Sequence, residues 1–302
     1  MTPPSKRAIG RYRLVTPLGN GAQSHVWVAF DPTLGRSVAL KMLDAGSEPA
    51  AIDAFEREAR LMSQLTSPHV VRTFDSGCAD GMHYLAMEHL VGSDLAQLVK
   101  QFGAQPAARV IHFGIGACLA LEEAHEKGFV HRDVKPGNLF AARIDGKHDV
   151  PKLLDFGIAR TLGEVGAVKV GGTPAYLAPE CCKGLPASPA SDIYSLGASL
   201  YHLATGSPPF AGDTPEIIAK HRDEGATRPS VRLGAALPSD LEDVLLACLA
   251  KETQERPPCA RDLRALLEAC EQASVWTETD SARFWDEDHR RALSRWTDET
   301  HT

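Results

Sequence analysis

His131-Arg132-Asp133-Val134-Lys135-Pro136-Gly137-Asn138 sets an acid, a cation and an amide within six residues of one another, in a segment too rich in Pro and Gly to continue a helix. Just before it, Cys118-Leu119-Ala120-Leu121-Glu122-Glu123-Ala124-His125 reads as the end of an apolar helix, which Gly128 stops. The segment is therefore a loop hung from a rigid support, where chemistry-bearing side chains tend to sit. Asp133 suits the acceptance of a proton. Asn138 offers a neutral oxygen to a hard cation.

The rest of the chain sets bounds on that chemistry. Its 302 residues are enough for one large domain or two modest ones sharing a cleft. Apolar residues make up 43% and charged residues 24%, as in ordinary globular proteins. A net charge of -7 provides no broad basic field, so no nucleic acid is expected as a partner. Seven cysteines lie at positions 78, 118, 181, 182, 248, 259 and 270, with no C-x-x-C spacing. That argues against a disulfide framework or a zinc site and for a reducing compartment. Met1 to Arg13 lacks an apolar core, so it is not read as a signal peptide. The charge-free run Val110 to Leu121 is too short to span a bilayer. The expectation is a soluble, cytoplasmic protein without a membrane partner.

Residues 11–43 alternate apolar and polar residues between Gly and Pro, the pattern of strands joined by turns, with Tyr12 to Val15 as a first strand. Leu18-Gly19-Asn20-Gly21-Ala22-Gln23-Ser24-His25-Val26 follows. Glycines there let backbone amides approach phosphate oxygens. In Val38-Ala39-Leu40-Lys41, three apolar residues precede a lysine, which puts an ammonium at a cleft edge. Phe55 to Leu65 is helical, with Phe55, Ala59, Met62 and Leu65 on one stripe and Glu58 beside it. Ser67 to Val71 breaks that helix and is expected to open another strand, and His83 to Leu90 is a further one. Gly92-Ser93-Asp94-Leu95 is a good helix start. Two helices are expected over 95–127, separated near Gly103 to Pro106. Short strands follow at 138–141 and 152–154, around a polar turn at 145–147 with no function assigned. Asp155-Phe156-Gly157 and Gly172-Thr173-Pro174-Ala175-Tyr176-Leu177-Ala178-Pro179-Glu180 come next, and then amphipathic helices to residue 270.

These strings in this order resemble the eukaryotic-type (Hanks-type) serine/threonine protein kinases, in particular the soluble bacterial kind. H-R-D-x-K-P-x-N, G-x-G-x-x-S-x-V, V-A-L-K, D-F-G and G-T-x-x-Y-x-A-P-E carry the resemblance, which covers about residues 11–270. Ser24 departs from it, standing where the family has a third Gly. The resemblance implies an α+β, bilobal kinase fold: a small β-rich N-lobe with one main helix over about 11–87, a hinge at about 88–92, and a larger, mainly α-helical C-lobe over about 93–270. Residues 271–302 form an acidic tail with Trp276, Trp285 and Trp296, expected to dock in cis, with a partner-binding extension and a loose tail as the alternatives.

The implied activity is transfer of the ATP γ-phosphate to Ser or Thr of proteins, the enzyme itself included, in cytoplasmic signalling. A homodimer phosphorylating itself in trans is an implied arrangement. Asp133, Lys135 and Asn138 are the implied catalytic residues. Leu18, Gly19, Gly21, Ser24, Val26, Ala39, Lys41, Glu58, Met87, Glu88, Leu90 and Asp94 are implied around ATP, with Glu58 rather than Glu56 pairing with Lys41. Asn138 and Asp155 would bind Mg²⁺, with Mn²⁺ as an alternative. Arg132, Thr161, Thr173, Glu180 and Arg256 belong to control of the activation segment, with Arg256 pairing with Glu180 and Asp192 bracing the catalytic loop. Between Gly157 and Gly172 the only hydroxyl residue is Thr161, so phosphate in the middle of that loop is not expected to gate activity. A nucleotide-binding module without transfer would usually lack Lys41, Asp133 or Asp155. A small-molecule phosphotransferase would lack the Gly172–Glu180 segment.

Overall fold

Alternating apolar residues and Gly-marked turns make the first part of the chain a set of antiparallel strands. A computed structural model describes residues 8–20, 24–44, 46–156 and 174–286. In it β1 (Ala8–Ile9), β2 (Tyr12–Asn20), β3 (Ser24–Asp31), β4 (Arg36–Leu43), β5 (Thr73–Ala79) and β6 (Met82–Glu88) form one six-stranded sheet, ordered β1-β2-β3-β4-β6-β5. Helix α1 (Pro49–Met62) packs beneath it through Ala54, Phe55, Ala59 and Met62, with Glu58 on the same buried face. The helix begins earlier than the apolar stripe suggests because Pro49 starts it, where a missing N–H is no loss.

Val70-Val71 does not open a strand of this sheet, contrary to the sequence reading. Both residues are buried. Val70 bridges in parallel to Leu153, and the Val71 N–H donates to the Leu153 carbonyl at 3.0 Å. The pair is apolar because it is buried between the lobes, and the strand proper begins at Thr73.

A second, three-stranded sheet joins β7 (Val91–Asp94), β8 (Leu139–Ile144) and β9 (Lys147–Leu153). These strands are longer than expected, and Asn138 falls outside them, in a short 3₁₀ turn over Pro136–Asn138. The remainder is helical: α2 (Leu95–Phe102), α3 (Ala107–Glu126), α4 (Pro179–Cys182), α5 (Pro189–Thr205), α6 (Thr214–Asp223), α7 (Pro229–Leu233), α8 (Ser239–Cys248) and α9 (Ala260–Glu268). The fold is α+β and bilobal. One apolar core runs from α1 through α3 and α5 to α9. Helix α3 lies close against β9: a Cβ at Gly116 would stand 2.4 Å from the Pro151 ring. Among the described residues no helix is long and apolar enough to cross a membrane.

Residues 278–286 form a further helix. The Thr277 backbone N–H and hydroxyl both donate to Asp280, whose own N–H returns to the Thr277 hydroxyl. Trp276 and Trp285 of this segment lie on the C-lobe, whereas Trp296 is outside the described residues.

The two lobes are also joined behind the cleft by Glu123, on the last turns of α3. Its carboxylate accepts the Thr66 N–H at 2.9 Å, the Thr66 hydroxyl at 2.8 Å, the Ser67 N–H at 2.7 Å and Lys127 Nζ at 2.8 Å. Burial alone would raise this carboxyl; the Lys127, Thr66 and Ser67 donors outweigh it and lower its pKa to about 2 from an ordinary 4.5. A depressed carboxylate stabilises the fold above its unfolded pKa and stops doing so as pH falls through the folded value. Glu123→Gln should therefore lower the melting temperature at pH 7, and the gap to the parent should close as pH falls from 4.5 toward 2. Thermal melts of both proteins across that range check this, and a gap independent of pH would contradict it.

Candidate active site

Strand register decides which side chains share the cleft. Val26 on β3 pairs with Lys41 on β4, and Ala39 on β4 pairs with Met87 on β6. Lys41 and Ala39 are two residues apart and so share a face of the sheet. Lys41 is 8% exposed. Its Nζ lies 2.7 Å from Glu58 Oε1 on α1 and 3.2 Å from Asp155 Oδ1, which is 114 positions away in the chain. Burial alone would lower the ammonium's pKa; Asp155 and Glu58 together reverse this and hold it raised. Glu56, the alternative partner, pairs with His83 at 3.4 Å instead.

The segment after α3 is held by its backbone. Gly128, at φ +78°, turns the chain out of the helix. Asp192, 1% exposed near the start of α5, accepts the N–H of His131 at 2.7 Å and of Arg132 at 2.8 Å, and contacts His125 Nε2 at 2.9 Å. These bonds hold Arg132 at φ +68°, a strained value for a side chain of that size. His131 is wholly buried, and burial keeps its imidazole pKa below the ordinary value. The neutral ring donates from Nε2 to the Leu154 carbonyl at 2.8 Å, accepts the Asp133 N–H at Nδ1 (3.3 Å) and packs on Phe156.

Asp133, Lys135 and Asn138 form one cluster. Lys135 Nζ is 2.7 Å from Asp133 Oδ2. Asn138 Nδ2 donates to the same oxygen at 3.0 Å and to the Asp133 carbonyl at 2.8 Å. The Leu154 N–H donates to the Asn138 carbonyl at 2.8 Å, which sets Asp155 next to this cluster. Asp155 has φ +24° and a side chain 40% exposed. With its nitrogen committed to Asp133, Asn138 has its amide oxygen left as acceptor, and Asp155 adds a carboxylate. Two hard oxygen donors fit Mg²⁺, which keeps few protein ligands and completes its shell with phosphate and water. Among the described residues there is no group of three or more His, Cys, Asp or Glu that could cage a metal.

Around the cleft mouth, Leu18 is half exposed, Gly19 pairs with Val26, and Ser24 opens β3. Gly21 lies outside the described residues, as do Thr161 and Thr173. Met87 is buried on β6, on the same sheet face as Ala39 and Lys41, and Leu90 packs against the main core. The Glu88 N–H is already engaged, donating to the Arg72 carbonyl at 2.8 Å. Its carboxylate accepts Lys152 Nζ at 2.5 Å, so this residue's expected contribution to an adenine narrows to its carbonyl. Asp94 caps α2, accepting the Gln97 N–H at 2.9 Å, which realises the helix-start alternative.

Below the cleft, Arg256 and Glu180 form a bidentate pair at 2.9 and 2.8 Å, with Ser191 donating to Glu180 at 2.6 Å. Burial would raise Glu180; Arg256 and Ser191 lower it below the ordinary value. Sequence reasoning missed the Glu123 anchor, the Glu88–Lys152 pair and the bracing His131. Only His131 carried a readable signal, as the first residue of the quoted loop. Arg256→Leu should cost roughly 3–5 kcal/mol in urea unfolding, because it strands a buried carboxylate. The double variant with Glu180→Leu should recover much of that loss; a double variant no better than the single would contradict the pairing argument.

Comparison with known proteins agrees with this geometry. The sequence matches the protein kinase domain family over residues 12–266. It is 38% identical over 277 residues to the serine/threonine-protein kinase PknB of Mycobacterium tuberculosis, covering 88% of this chain and 43% of that protein. It is 36% identical over 280 residues to a probable serine/threonine-protein kinase of Corynebacterium efficiens, covering 88% and 42%. The chain thus spans less than half the length of these curated relatives. Among solved structures, a point mutant of the PknI kinase domain of Mycobacterium tuberculosis superposes with a TM-score of 0.70 at 26% identity, covering 91% of this chain and all of that one. Fold, cleft and sequence agree across both lobes, and the chain belongs to the protein kinase family.

Proposed function

We propose that this chain is an ATP-dependent serine/threonine protein kinase, with residues 11–270 as its catalytic domain. The observation that carries the reading is the contact of Lys41 with both Glu58 and Asp155, which brings β4, α1 and the end of β9 together at one cleft. Both curated relatives cited above are named as serine/threonine kinases, which supports the acceptor class.

In this reading ATP enters between the sheet and the C-lobe. Leu18, Val26, Ala39, Met87, Leu90 and the Glu88 carbonyl surround the adenine, Gly19, Gly21 and Ser24 cover the phosphates, and Asp94 reaches the ribose with the oxygen not used in capping. Lys41 grips phosphate oxygens and Glu58 fixes its position. Mg²⁺ (or Mn²⁺), held by Asn138 and Asp155, supplies positive charge against the phosphates. Asp133 accepts the proton of the Ser or Thr hydroxyl as its oxygen bonds to the γ-phosphorus. The bond to the β-phosphate oxygen breaks, and ADP leaves. Lys135 offsets charge on the transferred group and orients Asp133, to which it is already bonded.

Arg132, Thr161, Thr173, Glu180 and Arg256 serve the activation segment, the last two as its anchor. Seven free thiols accord with a reducing cytoplasm and a signalling role. Autophosphorylation within a homodimer belongs to the same proposal.

Incubation with labelled ATP, Mg²⁺ and a generic protein acceptor should place label on Ser and Thr. Asp133→Asn should lower kcat roughly 10²–10⁴-fold with little change in nucleotide affinity. Nucleotide binding without any transfer by the parent chain would overturn the proposal.

A further inference from the structure

Outside the cleft, Asp149 receives four side-chain N–H donors, in the β8–β9 region where the sequence suggested only a polar turn. Asp149 is 1% exposed and sits within β9 at φ +53°. A non-glycine residue in that region is strained and persists only where its surroundings over-determine it. Here Arg109 Nε and Nη2 donate to its two oxygens at 2.9 and 2.8 Å, and its carbonyl meets His112 Nε2 at 2.8 Å. Two further donors come from the tail. Trp276 Nε1 reaches Oδ2 at 3.0 Å and Trp285 Nε1 reaches Oδ1 at 2.7 Å. Arg109 is wholly buried and lies 3.8 Å from the centre of the Phe284 ring, with Trp276 and Trp285 at 5.1 and 5.7 Å. Phe284 also meets Phe102 of α2 edge-on at 4.9 Å. Half of the side-chain N–H donors to Asp149, and much of the ring of aromatics around its cationic partner, therefore come from residues 276–285.

We infer that residues 276–285 act as a clasp that positions the catalytic loop and Asp155 by completing the Arg109–Asp149 tie. Arg109 lies near the start of α3, the helix that delivers His131 to Asn138. Asp149 lies on β9, six positions before Asp155. Gly116 lets the same helix and strand touch midway. Downstream, Leu154 is stitched to Asn138 and to His131. The tie therefore joins the two elements that supply the acidic groups of the cleft. Without the tail's donors, Asp149 loses part of what holds it at φ +53°, and β9, the strand that leads to Asp155, loses an anchor near its start. Trp276, Phe284 and Trp285 are positioning residues in this account and touch no substrate. The inference rests on the proposed roles of Asp133 and Asp155.

Coupling of this kind is reciprocal: what the tail does for nucleotide and metal affinity, nucleotide and metal do for tail docking. The test uses the full chain. Trp276→Phe with Trp285→Phe keeps aromatic bulk and removes both N–H donors. In the folded double variant the Mg²⁺ concentration for half-maximal activity, or the KM for Mg-ATP, should rise about fivefold or more. In the unaltered chain, AMP-PNP with Mg²⁺ should slow hydrogen exchange of the amides at 278–286, which needs no variant. An unchanged Mg²⁺ and Mg-ATP dependence, or tail amides indifferent to nucleotide, overturns the inference. Asp155→Asn separates the two levels. If it keeps full turnover, the reading of the cleft fails and the clasp role with it. If it is inactive while the double variant behaves as the parent, the clasp role alone fails.

Discussion

An ammonium held between two carboxylates is the interaction on which the site depends. Lys41 comes from the sheet, Glu58 from α1 and Asp155 from just past β9; Lys41 and Glu58 are buried together, and the partly exposed Asp155 closes the contact from the cleft. An isolated ion there would suffer a desolvation cost of several kcal/mol; mutual contact offsets it only when all three approach closely. The constraint is geometric as much as energetic. It fixes the rotation of α1, because Glu58 must lie on the face that also buries Phe55, Ala59 and Met62. It also fixes the closeness of the lobes, because Asp155 must come within reach of β4.

The other half of the cleft is organised by backbone amides. Asp192 takes two consecutive N–H groups from His131 and Arg132, and the left-handed turn at Arg132 follows from that demand. Strain at Arg132 and Asp155 is held in place by partners on other elements: Asp192 for the first, and for the second the Leu154 bonds to Asn138 and His131. Asp133 is thus positioned by a network that fixes where the chain runs, while Lys135 and Asn138 fix where its carboxylate points.

Much of this was legible in the sequence, and for identifiable reasons. Residues whose chemistry demands a fixed local string, such as 131–138 and 155–157, announce themselves. So do Gly128 as a helix stop and the stripe of α1. The parts that escaped are pairings between distant segments of ordinary composition. Glu123 looks like any helix-surface glutamate until the loop after α1 brings the Thr66 and Ser67 amides onto it. Val70-Val71 reads as a strand because it is β-branched and apolar; burial between the lobes requires the same residues. Thr277-Glu278-Thr279-Asp280 carried a helix-cap signal that the acidic character of the tail concealed. For Asp94 the sequence left cap and ribose contact equally weighted, and the bond to Gln97 decides for the cap without using the second oxygen.

Asp149 extends the same logic beyond the cleft. A buried carboxylate in a left-handed conformation needs donors on every side, and a single arginine supplies only two of the four side-chain N–H groups it receives. Its other two donors are indoles, which bring apolar area as well as a hydrogen bond. They therefore seal the Arg109–Asp149 pair from water while completing it. Burial would otherwise lower the Arg109 pKa further; Asp149 opposes that fall, and the aromatic faces stabilise the cation they enclose. A lobe built this way cannot be trimmed directly after α9 without exposing an ion pair that sits between α3 and the strand leading to its own active site.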